Sequence, residues 1–185
     1  MTLGAIAGAL GGVVFGGIAG RLLMLVLRRE SPGAVGLTSD DGFEIGEVTL
    51  SGSLNLLVFT GLLGAMAGVA YVALRLGLPA LARIPLAALL GAALGGTAFI
   101  NPDGIDLLVL DPLPLAVSGF IVLPALAMTA MAVIVEAVGR RGPRVRRPPA
   151  ARPLVLAIRT VVTALVLVAI VLNGLSLMDK VDRVL

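Results

Sequence analysis

The sequence predicts an all-α fold, a polytopic bundle of transmembrane helices with about five spans and a small β cap on the loops of one face. Three observations predict it. The chain of 185 residues is 58% hydrophobic and only 14% charged, with a mean hydropathy of +1.09; a soluble globule of this size carries about 25% charged residues. Five apolar runs, approximately 3–27, 54–76, 84–100, 115–138 and 154–178, are each read as long enough to cross a hydrocarbon core of about 30 Å. Within the first run, Gly4, Gly8, Gly12, Gly16 and Gly20 recur at every fourth position, with Ala5, Ala7, Gly11, Gly17 and Ala19 between them. Glycine inside a helix costs about 1 kcal/mol relative to alanine in water. In lipid the backbone must satisfy its own hydrogen bonds, and small residues then let a second helix approach closely. The whole chain, 1–185, reads as one integral membrane domain.

The first run lacks a basic segment ahead of it and contains Arg21, so it is expected to be retained rather than cleaved as a leader. Each four-residue step along its glycine row leaves about 40° of drift at 3.6 residues per turn. A straight parallel partner cannot follow such a row; a crossing helix can, or two helices can share it. The leading expectation is packing within the chain. The sharper one is a seam between chains, since the pattern is similar to the glycine zippers of some oligomeric channels. The second run carries Gly61, Gly64 and Gly68 and the third Gly91, Gly95 and Gly96, so the first three helices are expected to pack on one another through small faces. Pro124 is expected to kink the fourth run or open a gap in its hydrogen-bond ladder. The fifth, rich in Val, Ile and Leu, is expected to face lipid.

The longer loops carry turn signals. Ser39-Asp40-Asp41-Gly42 separates residues 34–38 from 43–50, both strand-like in content. Asn101-Pro102-Asp103-Gly104 suits a type I turn. The apolar stretch 105–110 that follows is read as a strand of the cap or, alternatively, as a re-entrant segment. Arg and Lys set the orientation. Arg75, Arg83, Arg140, Arg141, Arg144, Arg146, Arg147 and Arg152 flank one side, and Arg28, Arg29, Lys180 and Arg183 the other. The expected site is the plasma membrane, with the N-terminus cytoplasmic and the C-terminus outside.

Absences exclude much chemistry. The chain has no Cys, no His and no Trp. Disulfides, thiolate nucleophiles, Ser–His or Cys–His catalysis, haem histidines and the usual zinc sites are therefore excluded. No cofactor and no catalytic residue is expected. Asp40, Asp41, Asp103 and Asp106 are candidate oxygen ligands for a divalent cation, although their spacing matches no calcium loop and loop turns explain them equally. Polar residues inside the spans are functional candidates by default. Arg21, Asn55 and Asn173 are expected to form one outer polar cluster. Glu136 and Arg159, on helices joined by a short connection, are expected to pair as a structural pin. Arg140, Arg141, Arg144, Arg146 and Arg147 read as a topology determinant or as a contact for anionic lipid. Without interleaved aromatics they do not read as a nucleic-acid surface.

The segments "GRLLMLVLRR", "GLTSDDGFEIGEVTLSGSLNLL" and "NPDGIDLLVLDPLPLA" resemble small multi-pass membrane proteins of actinobacteria. The likeness covers the whole chain and rests on loop signatures, so it implies a bacterial membrane protein and no activity. Dominance of Ala, Gly, Leu, Val and Arg, with Lys180 the sole lysine, accords with a GC-rich bacterial genome. The leading functional expectation is a non-enzymatic assembly or accessory protein packed by the glycine row. The alternatives are a small oligomeric transporter or channel and, more weakly, a metal-dependent enzyme using the loop carboxylates.

Overall fold

The structure, a computed structural model, describes residues 1–34, 36–38, 49–141 and 152–185. Among these the elements are all helices, with no strand element. Helix α1 runs Thr2–Glu30, with π-helical turns over Gly12–Ala19. Helix α2 runs Leu50–Leu74 and tightens into a 3₁₀ turn at Arg75–Gly77. Helix α3 is Arg83–Phe99, α4 the short Ile105–Val109, α5 Leu113–Arg141 and α6 Arg152–Val184. Four of them (α1, α2, α5 and α6) are long and apolar enough to cross a membrane, which marks an integral membrane protein. The third expected span is the shorter α3. Its 17 residues rise only about 26 Å, because Pro79 belongs to the turn ahead of it and Asn101-Pro102 favours extended backbone just beyond it.

Local chemistry sets the helix ends. Thr49 caps α2, its hydroxyl accepting from the Gly52 amide at 3.1 Å. Pro85 lies in the first turn of α3, where a missing amide proton costs nothing.

Helices α1 and α2 are antiparallel and touch backbone to backbone. A β-carbon placed on Gly8 would fall on the Gly64 carbonyl, and one on Gly64 would fall on the Gly8 carbonyl. Gly4 and Gly68 stand in the same reciprocal relation, and Gly12 meets the Thr60 carbonyl. The drift of the row then shows. Among the described residues, Gly16 reaches only the Thr60 side chain, at 3.0 Å, and Gly20 meets nothing beyond its own helix. Gly11, off the row, packs on Ala127 of α5, so two partners share this face of α1.

The expected clustering of the first three helices is not what forms. Helix α3 packs on α5 and α6. Its glycines are used there: Gly95 lies under the Pro124 ring, and a β-carbon on Gly91 would come within 2.6 Å of the Pro124 carbonyl. Pro124 sits within one continuous helix, α5, and its ring fills the groove that Gly95 leaves open. Phe99 and Phe120 stack further along this pair, with centroids 6.1 Å apart. Helix α6 leans on α3 and on the 3₁₀ turn through Val162, Val166 and Ile170. Most of its remaining apolar surface from Leu156 to Met178 is exposed, with Leu177 turned into the second core, in line with a lipid-facing helix.

The core divides between the two ends of the bundle. Ala7, Tyr71, Ala87, Met131, Ala132 and Val135 are buried together near one end. Leu27, Ile100, Leu107, Ala116 and Val117 are buried together near the other. Of the β-cap expectation, the strand read over 105–110 is corrected. Residues 105–109 form a turn and a half of helix, with Leu107 dropped into the second core, and Pro32–Ala34 is a 3₁₀ turn. Residues 39–48 lie outside the described residues.

Candidate functional site

The most polar place inside the bundle is where the α2–α3 turn meets α5. Tyr71 is on the penultimate turn of α2, Arg75 in the 3₁₀ turn, Arg83 at the first position of α3, and Glu136 on the inward face of α5. The Glu136 carboxylate gathers the other three. Its Oε1 accepts from the Tyr71 hydroxyl at 3.2 Å and from Arg75 Nη1 at 3.4 Å, and its Oε2 accepts from Arg83 Nη1 at 3.0 Å. Arg75 Nη1 also donates to the Val135 carbonyl at 3.4 Å, and Arg83 Nε donates to the Leu78 carbonyl at 3.3 Å. The guanidinium of Arg75 lies over Gly139, where a β-carbon would come within 2.9 Å of its Nη1. A cation there also faces the C-terminal, negative end of α5.

The side chains are largely withdrawn from solvent: Glu136 is 12% exposed, Arg75 22% and Arg83 19%. Two guanidiniums against one carboxylate leave this cluster one positive charge in excess. The Nε of Arg75 is buried with no hydrogen-bond partner among the described residues. Ion pairs of this kind fix one geometry rather than add much net stability, while removal of one partner strands the other.

The Glu136 partner differs from the one the sequence suggested. Arg159 is not its partner because α5 and α6 are not neighbours; α3 lies between them, and its own Arg83 takes the place expected for Arg159. A short connection made adjacency plausible, but the small residues of α3 allow it to slot into that groove. Tyr71, Arg75 and Arg83 were missed as members. The signal available was that Arg75 and Arg83 bracket a seven-residue turn opposite the sole acid between Asp111 and Asp179.

The expected outer cluster of Arg21, Asn55 and Asn173 also separates into parts. Arg21 Nε donates to the Ser53 hydroxyl at 3.1 Å. Asn55 is exposed on α2. Asn173 is on α6, where its Nδ2 donates to the Ala169 carbonyl at 2.8 Å and its Oδ1 accepts from Thr97 at 3.4 Å. The reason is again that α6 packs on α3 and away from α1 and α2. Two further polar contacts hold this end. Lys180 Nζ donates to the carbonyls of Thr97 at 2.7 Å and Ile100 at 2.8 Å, closing the C-terminus of α3. Ser31, buried, donates to the Asp111 carbonyl at 3.0 Å and accepts from the Asp111 amide at 2.6 Å.

The candidate cation ligands do not form a described centre. Asp40 and Asp41 lie outside the described residues, Asp103 is exposed, and of Asp106 only the backbone is described. Among the described residues no three His, Cys, Asp or Glu side chains come together. Of the basic loop, Arg140 is exposed, and Arg144, Arg146 and Arg147 lie outside the described residues. Comparison with family models, curated proteins and solved structures finds no match to this chain.

Proposed function

We propose that the chain is a non-enzymatic, five-pass protein of the bacterial plasma membrane, akin to the small multi-pass proteins of actinobacteria, that serves as an assembly or accessory component. The observation that carries this reading is the fate of its out-of-place residues. Glu136, Arg75, Arg83, Lys180 and Asn173 each make contacts within the chain, and the glycine zipper of α1 is occupied by α2 from Gly4 to Gly12. What faces outward along α1, α2 and α6 is apolar, as in Ile6, Leu10, Leu62, Met66, Leu165 and Leu172. Such a chain presents a lipid-covered body with loops at its two ends. The channel alternative would need the seam that α2 already fills.

The end bearing Arg75, Arg83, Arg140 and Arg141 is assigned to the cytoplasm by the positive-inside rule. The N-terminus is then inside and the C-terminus outside, with α3 as the fifth crossing. The chain lacks cysteine, so single cysteines introduced at Arg140 and at Asp103 test this directly. A membrane-impermeant thiol reagent on intact cells labels Asp103→Cys and spares Arg140→Cys; the reverse pattern overturns the orientation. Function is tested by mass and flux together. The wild type in nanodiscs is expected to be monomeric and to add no ion conductance to liposomes. Gly12→Leu with Gly16→Leu is expected to misfold. A wild-type oligomer whose double variant is a folded monomer would replace this reading by the channel.

A further inference from the structure

We infer that the Arg75–Arg83 turn seats the phosphate of an anionic lipid headgroup, a specific site distinct from diffuse attraction to the basic connection between α5 and α6. The inference rests on the reading above that this end of the bundle lies at a membrane surface. Four observations meet at the turn. The cluster holds two guanidiniums and one carboxylate, so one positive charge is uncompensated. The donors outnumber their acceptors: each guanidinium has five N–H groups, yet among the described residues Arg75 bonds through Nη1 alone, its Nε being buried, and Arg83 through Nε and Nη1 alone. Both guanidiniums keep about a fifth of their side chain open, 22% and 19%, so a further anion can reach them. Guanidinium forks match phosphate oxygens in geometry as well as in charge.

The fourth observation selects lipid over free phosphate. The turn is apolar at its tip: Leu81 is 96% exposed and Leu76 is 54% exposed. Connections between helices usually present polar residues to water. A leucine standing clear of the fold beside two part-buried arginines suits the boundary between acyl chains and headgroups, where apolar tips sink and cations meet phosphates. Basic pockets between transmembrane helices are used in this way.

The experiment is a lipid titration on the full chain in neutral detergent micelles, with phosphatidylglycerol, phosphatidylcholine and inorganic phosphate as separate probes. Binding is read by native mass spectrometry and by the thermal midpoint from circular dichroism. Phosphatidylglycerol is expected to bind at least tenfold more tightly than phosphatidylcholine. Arg83→Gln is expected to weaken it about tenfold while Glu136 keeps Arg75, and Arg140→Gln to weaken it less than twofold. Leu81→Gln is expected to reduce lipid binding severalfold with every charge retained. Equal binding of the two lipids overturns the site. Loss in Arg140→Gln but not in Arg83→Gln overturns it too, in favour of the basic connection. Inorganic phosphate that binds as well as the lipid overturns the lipid assignment. If Arg83→Gln does not fold, Leu81→Gln and phosphate competition on the wild type decide the same question. Carbonate extraction of native membranes is run alongside: a chain that is released was never embedded, and the membrane reading fails, whereas an embedded chain without lipid preference sinks the seat alone.

Discussion

At one end of the bundle a carboxylate, Glu136, holds two guanidiniums; at the other an ammonium, Lys180, holds two backbone carbonyls. Both devices join neighbouring helices where the chain reverses. They differ in what supplies the negative partner. Around Arg75 and Arg83 the supply is a single ionised side chain, because the sequence offers no other acid between Glu47 and Asp103 or between Asp111 and Asp179. Around Lys180 the supply is the C-terminal end of α3, whose last carbonyls are unpaired in any helix and carry fixed partial charge. A pin built on backbone cannot be removed by mutation of its acceptor. A pin built on one carboxylate can, and two cations then share the loss.

The largest effect should therefore come from Glu136→Gln. It keeps the shape, leaves two part-buried guanidiniums unmatched, and is expected to cost about 3–5 kcal/mol, the range for breaking a buried ion pair. Thermal unfolding in detergent, followed by circular dichroism since the chain has no Trp, reads it. Adding Arg83→Gln to Glu136→Gln should recover part of the loss, because one stranded charge goes with it. A single variant as stable as the wild type would show that the cluster does not hold the fold.

Lys180→Met asks the same of the other end. It keeps the length of the side chain and deletes both charge-assisted hydrogen bonds, with an expected cost of about 1.5–3 kcal/mol. The cost is smaller because the freed carbonyls at a helix end can turn to headgroups or water. Hydrogen exchange at Phe99 and Ile100 should rise with it; unchanged exchange there would mean that Lys180 does not cap α3. Ser31→Ala, at the same end, removes one hydroxyl that serves both the amide and the carbonyl of Asp111. About 1 kcal/mol is expected from the same unfolding curves. The exposed Asp179–Arg183 pair, 61% and 63% open, should contribute little by comparison.

The two ends also differ in how far the residues foretold them. Membrane class, the helices and the exposed fifth span follow from hydropathy over long windows, which depends on each segment alone. The Gly8–Gly64 and Gly4–Gly68 contacts lay in the pattern too, since glycine at those spacings has use only where another backbone arrives. Pairing was the illegible part. Adjacency of α5 and α6 was inferred from a short connection, and the Glu136–Arg159 pair followed from it. The groove that admits α3 is made by Gly91, Gly95 and the Pro124 ring acting together, a shape no single window contains. The same error moved Asn173 to Arg21, and Lys180 passed unnoticed because its acceptors are carbonyls, which every residue has. The run 105–110 was read by apolar content, and so short a run does not distinguish strand from helix.

Glycine along α1 carries the comparison into backbone alone, and there the sign of the effect should change from one end to the other. Near the Glu136 end, Gly8→Ala puts a methyl group onto the Gly64 carbonyl, backbone that cannot rotate away. The helices must separate, and the contacts along the whole α1–α2 seam weaken. Near the Lys180 end, Gly20→Ala meets nothing closer than its own helix's Phe15 carbonyl at 3.9 Å, an ordinary contact. Its φ of −59° and ψ of −42° are those of a right-handed helix, so alanine fits without strain. The substitution then acts through the unfolded chain, which loses freedom it no longer has to surrender on folding. A gain of about 0.5–1 kcal/mol is expected. Detergent unfolding of the two alanine variants beside the wild type checks it. If Gly20→Ala also destabilises, the row has a partner beyond Gly16 that the described residues of this chain do not provide, which a second molecule would supply if crosslinking of Gly20→Cys yields a dimer.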